Sequence, residues 1–249
     1  MKFYGLIGKP LSHSHSKKYF TEKFARENFP AAYMLFPLDR IEQLPDLIRK
    51  HHNLIGLNVT IPFKTAVIPY LDKIDHEAET VGAVNTICIR YQKGKAELIG
   101  YNTDIIGFAS TIEPLLDYKT SYKALILGTG GASKAVQYIL QKFDIPYRIV
   151  SRKPEDSTYF DYKSLTEDII KEHQMLINAT PVGMFPNAGV APQIPYGGLS
   201  ADHILVDLIY NPSETLFLAH GRNAGSTVVN GMQMFVHQAE ESWNLWNQM

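Results

Sequence analysis

A single cysteine in 249 residues, Cys88, leaves no partner for an intrachain disulfide. Stability must then come from an apolar core, and a reducing compartment is the natural setting. Long hydrophobic runs are also missing, and nothing approaches the roughly 20 apolar residues that span a bilayer. The apolar stretch at 3–7 is too short for a secretory leader and meets Lys9 and Pro10 at once. Neither charge sign is in excess: 24 Lys and Arg face 25 Asp and Glu, for a formal net charge of -1. Without a basic block, nucleic acid is not expected as the main partner. There is no internal repeat, low-complexity tract or long charge run. These absences point to a cytoplasmic protein with no membrane partner.

With 45% hydrophobic and 20% charged residues the composition is that of an ordinary globular chain. At roughly 150 residues per domain, one or two domains are expected. Short apolar runs alternate with amphipathic stretches. Strands are expected at 3–7, 33–36, 55–59, 84–90 and 96–99, the last two joined by a turn at 92–95. Helices are expected between them at 16–27, 41–51 and 62–71. A second alternating set follows residue 102: a helix at 105–116, then strands at 123–127, 147–151, 175–178 and 204–207. The helix at 132–143 is the clearest of all. Ala132, Ala135, Val136, Ile139, Leu140 and Phe143 form one continuous face. The last segment repeats that pattern with Met232, Phe235, Val236, Ala239, Trp243 and Trp246. Its tryptophans predict docking on a surface. The expected fold is α/β in two domains, 1–103 and 104–230, each with a mainly parallel sheet, the final helix at 231–249 packing back on the first.

The sharpest motif is Gly128-Thr129-Gly130-Gly131-Ala132, between an apolar strand and the strongest helix. Glycines there let the backbone turn tightly and approach a pyrophosphate, which the free N–H groups of the helix start can bind. Ser133 stands where a third glycine is usual. The next strand ends in Ser151-Arg152-Lys153, where a dinucleotide's ribose is read. A basic residue beside a hydroxyl suits a 2′-phosphate and so NADP rather than NAD. The alternative is a solvated loop, with Glu155 and Asp156 close downstream.

Polar clusters close the expected strands of the first half. Ser14 and Ser16, at a helix start, form either an anion site or a helix cap. Asn58, Thr60 and Lys64 follow the third strand, Asn85 stands at the hairpin, and Asp104 opens the next helix. Each has a structural reading too: a turn residue, a surface charge, an N-cap. His13, His15, His51 and His52 lack partners at ligand spacing, so no metal is expected.

Taken together, Ser14-His15-Ser16, Asn58 to Lys64, Gly82 to Thr86, Asn102-Thr103-Asp104, Gly128 to Ala132, Asn178 to Met184, Asp207 to Pro212 and Gly231 to Gln238 make the chain resemble the shikimate dehydrogenases, in order and over nearly its whole length. The resemblance implies a substrate domain, a Rossmann domain and reversible NADPH-dependent reduction of 3-dehydroshikimate to shikimate, on the route to chorismate and the aromatic amino acids. It also implies roles. Ser14 and Ser16 hold the substrate carboxylate, and Asn58, Thr60, Asn85, Asp104 and Gln238 hold ring hydroxyls, with Tyr210 lining the site. Lys64 is the catalytic acid/base, paired with Asp104. Gly128, Thr129, Gly130, Gly131 and Ala132 cradle the pyrophosphate; Ser151, Arg152 and Lys153 read the ribose; Leu208 and Gly231 lie near the nicotinamide. The implied assembly is a monomer or homodimer.

Three departures from the family pattern stand out. Lys17, Phe20 and Thr21 replace the usual proline and His-Asn pair after Ser16. Pro154, Glu155 and Asp156 occupy the place of a second basic residue, and the chain is trimmed between Arg152 and Met175. The rival readings are an NAD-dependent quinate/shikimate dehydrogenase, a related dehydrogenase acting on a folate, and a non-catalytic NADP-binding sensor. A sensor has no need of a proton donor such as Lys64.

Overall fold

The computed structural model describes residues 1–11, 14–117 and 119–248, and the chain divides into two units, Met1–Thr103 with Ala239–Met249, and Asp104–Gln238. In the first unit the chain forms β1 (Lys2–Gly8), α1 (Ser16–Arg26), β2 (Ala31–Pro37), α2 (Leu44–Lys50), β3 (Leu54–Val59), α3 (Phe63–Ala66), β4 (Lys73–Ile74), α4 (His76–Val81), β5 (Thr86–Gln92) and β6 (Lys95–Tyr101). The sheet order is β2-β1-β3-β5-β6-β4, and only β5 runs against the rest. The β5–β6 turn is the two-residue kind, with Lys93 at φ 49 and Gly94 at φ 78. Left-handed dihedrals at both positions match the twist of the paired strands. One face of the sheet packs Leu44, Leu47, Ile48, Phe63 and Val67 against Leu54, Leu57 and Ile87. The other gathers Tyr4, Phe20, Phe24, Tyr33, Trp243 and Trp246.

Prolines shorten the expected helices, because they remove a donor and crowd the preceding turn. The helix expected at 41–51 opens with a 3₁₀ turn, Ile41–Gln43, and Pro45 falls in the first turn of α2. The one expected at 62–71 is two pieces, α3 and a 3₁₀ turn at Ile68–Tyr70 around Pro69.

The second unit holds α5 (Asp104–Ile112), β7 (Ala124–Leu127), α6 (Gly131–Lys142), β8 (Tyr147–Ser151), β9 (Tyr159–Asp161), α7 (Glu167–Lys171), β10 (Met175–Asn178), β11 (Ile204–Asp207), α8 (Leu216–Asn223) and β12 (Thr227–Val229). All its strands are parallel, in the order β12-β11-β10-β7-β8-β9. Read from the β9 edge, this is the 3-2-1-4-5-6 order of the doubly wound dinucleotide fold. The order reverses between β7 and β10, so ligands belong at the carboxyl ends of those two strands. Every residue of β7, β10 and β11 is buried, as expected of strands covered on both faces.

The last helix is α9 (Met232–Asn247). The division falls inside it, between Gln238 and Ala239. Its first turns meet α5 at Gly107, where an added Cβ would lie 2.5 Å from the Met234 carbonyl oxygen and 3.2 Å from the Gln238 Cβ. Its last turns put Trp243 and Trp246 into the aromatic cluster of the first sheet. One apolar stripe thus serves two cores. No helix among the described residues is long and apolar enough to cross a membrane.

Candidate active site

In the first unit the candidate side chains gather at strand ends. Ser14, half-buried after β1, accepts the Ser16 backbone N–H on its hydroxyl at 3.2 Å. Ser16 is buried and opens α1, whose N-cap, His15, contributes no side-chain cap. The hydroxyl of Ser14 therefore orders the very turn whose amides would face an anion. Ser12 and His13 lie outside the described residues.

Asn58 is the penultimate residue of β3 and Asn85 stands just before β5, and both are buried. The Tyr33 hydroxyl donates to Asn58 Oδ1 at 2.7 Å, while Asn58 Nδ2 donates to Ser242 Oγ at 2.9 Å and Thr86 Oγ1 at 3.2 Å. Asn85 Oδ1 accepts the Thr103 N–H at 2.7 Å, and its Nδ2 donates to Thr103 Oγ1 at 3.0 Å. Asn58, Asn85 and Thr86 thus belong to one buried network with fixed amide orientations. Thr60 is half-buried, and its N–H donates to the Ile7 carbonyl at 2.9 Å. Half-buried Lys64 lies in α3, and its carbonyl accepts the Val84 N–H at 2.7 Å. That bond sets the lysine beside the turn carrying Asn85. Asn102 braces the same turn by donating to the Ala83 carbonyl at 2.8 Å.

The second unit holds the other candidates. Asp104 is buried at the start of α5. The ring of Tyr210, half-buried, packs 5.0 Å from that of Phe235, centroid to centroid. Gln238 donates to the Phe235 carbonyl at 2.9 Å. After β7, Gly128 adopts φ +105, and a Cβ there would lie 2.8 Å from the Thr180 methyl. Thr129 and Gly130 are exposed, and a Cβ on Gly130 would meet nothing within 4 Å. Gly131 and Ala132 open α6, which has no side-chain cap at Gly130. The Ser133 hydroxyl donates to the Gly128 carbonyl at 2.7 Å. The residue in the third glycine's place is thus a small buried side chain that pins the turn.

Past β8, the Ser151 hydroxyl accepts the Lys153 N–H at 3.1 Å and donates to the Lys153 carbonyl at 3.0 Å. Arg152 and Lys153 are exposed. Leu208 donates its N–H to the Asn178 carbonyl at 3.0 Å. A Cβ on Gly231 would lie 2.2 Å from the Leu208 carbonyl oxygen, so only glycine fits there. The glycine turn open at Gly130, the uncapped start of α6 and the exposed cations after β8 fit a dinucleotide phosphate.

A family profile described as "Shikimate dehydrogenase substrate binding domain" matches residues 6–87. Shikimate dehydrogenase (NADP(+)) of Methanosphaera stadtmanae is 36% identical over 260 residues, covering 97% of this chain and 90% of its own. The chain belongs to the shikimate dehydrogenase family. Among solved structures, shikimate dehydrogenase 1 of Peptoclostridium difficile has a TM-score of 0.87 and 37% identity, covering 100% of this chain and 92% of its own. Shikimate 5-dehydrogenase of Thermus thermophilus, in complex with NADP(H) and shikimate, has a TM-score of 0.84 and 27% identity, covering 100% and 94%.

Within the family motifs, the structure adds residues that sequence reasoning left without a role. Asn178, Thr180, Asp207 and Thr215 form a hydrogen-bonded network at the ends of β10 and β11. Burial pushes the Asp207 carboxyl up to about 6, against the pull of bonds from Thr215, the Ile209 N–H and Asn178. A signal was there: each of these strands is apolar until its last residue, which is Asn178 or Asp207. Tyr33 and Ser242 gave none, because nothing local marks them as partners of Asn58.

Proposed function

We propose that the protein is an NADP-dependent shikimate dehydrogenase, reducing 3-dehydroshikimate to shikimate and running the reverse reaction. The glycine turn with its uncapped helix, in a parallel sheet of dinucleotide-binding order, carries the reading. NADPH, when bound, supplies the hydride. Gly128 to Ala132 cradle the pyrophosphate, Ser151, Arg152 and Lys153 read the phosphorylated ribose, and Leu208 and Gly231 border the nicotinamide. Residues 1–103 form the substrate domain, and 104–230 the cofactor domain.

The chain's own chemistry lies in the first unit and at Asp104. Ser14 and Ser16 bind the carboxylate at the start of α1. Asn58, Thr60, Asn85, Asp104 and Gln238 bind ring hydroxyls, and Tyr210 lines the substrate. The fixed amides of Asn58 and Asn85 mean that little reorganisation is needed on binding. The Lys64 ammonium gives a proton from Nζ to the carbonyl oxygen as that oxygen becomes an alkoxide. In the oxidative direction the neutral amine takes the proton back.

The protein works in the cytoplasm, as a monomer or homodimer. One assay tests the whole reading: oxidation of NADPH or NADH with 3-dehydroshikimate or 3-dehydroquinate. Turnover of NADPH with 3-dehydroshikimate is expected. Preference for NADH with dehydroquinate would favour a quinate enzyme, and cofactor binding without turnover would favour a sensor.

A further inference from the structure

β10 and β11 are parallel neighbours, in register from Met175 opposite Ile204 to Asn178 opposite Asp207. Both end in a side chain with no solvent exposure. The Asp207 carboxylate accepts from three directions. The Thr215 hydroxyl donates to Oδ2 at 2.5 Å, and the Ile209 N–H at 3.0 Å and Asn178 Nδ2 at 3.1 Å donate to Oδ1. Asn178 extends the web: its Oδ1 accepts the Thr180 hydroxyl at 2.6 Å and N–H at 3.1 Å, and its Nδ2 donates to the Val182 carbonyl at 3.2 Å. Thr215 also receives the Leu218 N–H at 3.4 Å, as N-cap of α8.

One carboxylate therefore ties down three stretches of chain: 178–182, 207–209 and the start of α8. The first of these lies beside the glycine turn, through Thr180 at Gly128, but that turn is pinned independently by the Ser133 hydroxyl on the Gly128 carbonyl at 2.7 Å. The second carries Leu208, whose carbonyl lies against Gly231. A buried carboxylate is a costly way to stabilise a fold, since removal from water opposes its charge. An acceptor-only group with two oxygens is nevertheless what three converging donors demand.

We propose that Asp207 is the positioning residue for the nicotinamide end of the cofactor site, holding Leu208 and the 178–182 segment in place without touching the ligand. This rests on the reading of the second unit as an NADP site. A role in positioning one end of the ligand differs from a role in holding the domain together. Loss of the carboxylate should weaken ligands that carry nicotinamide and spare those that carry only the adenosine phosphates.

The test compares calorimetric dissociation constants for NADP+ and for 2′,5′-ADP in the wild type, Asp207→Ala, Asp207→Asn, Thr215→Val and Thr215→Ser. In Asp207→Ala the NADP+ constant should rise about tenfold, as for a lost buried hydrogen bond, while that of 2′,5′-ADP stays within about twofold. Thr215→Val should show the same split more weakly, and Thr215→Ser, which keeps the hydroxyl, should bind both ligands as the wild type does. Asp207→Asn keeps the shape and one acceptor oxygen and should fall in between, so the assignment stays testable if the alanine variant fails to fold. Equal weakening of both ligands, or no change in either, would overturn the assignment alone. A wild-type protein that binds neither ligand would overturn the cofactor reading and this assignment with it.

Discussion

At the residue scale, the side chains assigned to chemistry and those assigned to support predict different kinetic signatures. Lys64→Ala should lower kcat by about 10²–10⁴, the usual range for loss of a general acid–base group. Shikimate KM should change little, because the loss falls on the transition state. Lys64→Met keeps the stem without the amine and should be nearly as inactive; near-normal turnover in either variant would remove the lysine from the mechanism. Arg152→Ala should raise the KM for NADPH by about tenfold while leaving that for NADH nearly unchanged, as for a charged hydrogen bond to phosphate. Equal losses would mean that Arg152 does not read the 2′-phosphate. Asp207 predicts a pH effect on stability. Its carboxyl titrates near 6 when folded, pushed up by burial from an ordinary value of 3.8. The folded state thus holds this proton more tightly than the unfolded one. Stability should fall as pH rises from about 4 to about 6, by on the order of 2–3 kcal/mol, and level off on either side. Subtracting the denaturant-unfolding profile of Asp207→Asn isolates the effect, and a flat difference would refute it.

At the element scale, what could be read in advance depended on how local its cause was. The glycine turn and α6 follow from neighbouring residues: a buried strand, glycines, then an apolar stripe. The two-residue hairpin turn follows from Lys93 and Gly94 in the same way. Strands β4, β9 and β12 have two or three residues each, too few for a pattern to show. Helices α4, α7 and α8 are short and depend on single caps, Asp75, Thr166 and Thr215. The bond from Asn178 to Asp207 joins residues 29 apart, and that from Asn58 to Ser242 residues 184 apart. Neither distance leaves a trace in spacing. Gly56 belongs with these. Inside β3 it reads only as a weak point in a strand, yet a Cβ there would lie 2.2 Å from Trp246 Nε1. That indole nitrogen donates to the Ile87 carbonyl at 3.1 Å. Gly56→Ala must push the ring out of its cluster and break the bond. Unfolding in urea should show a loss of at least ~2 kcal/mol, combining overpacking with a lost buried hydrogen bond. A change within about 0.5 kcal/mol would show that the last turns of α9 can shift freely.

At the scale of the whole molecule, the chain crosses between its units twice, at 103–104 and at 238–239. The second crossing lies inside a helix, so α9 is the element most exposed to what happens in either unit. Its first turns carry Gln238, next to Gly107 of α5. Its last turns are anchored in the first unit by the buried Lys23, which pairs with Glu240 at 2.7 Å and with Glu27 at 2.8 Å. Ligands that bind one unit should accordingly leave separate footprints on this helix. A ligand at a hundred times its dissociation constant adds about 2.7 kcal/mol to the stability of the state that binds it. Amides that exchange through opening of that unit should slow accordingly, by about a hundredfold. In hydrogen exchange, 2′,5′-ADP alone should protect β7, α6 and β8 and leave β1, β3 and β5 unchanged. Shikimate alone should protect the start of α1, the 58–64 segment and β5, and should reach α9 through Gln238. Ternary mixtures of shikimate with NADP+ should protect both sets. Protection of the two sets by either ligand alone would show that the units open together as one, and protection of the first unit by 2′,5′-ADP without the second would overturn the division of labour between substrate and cofactor.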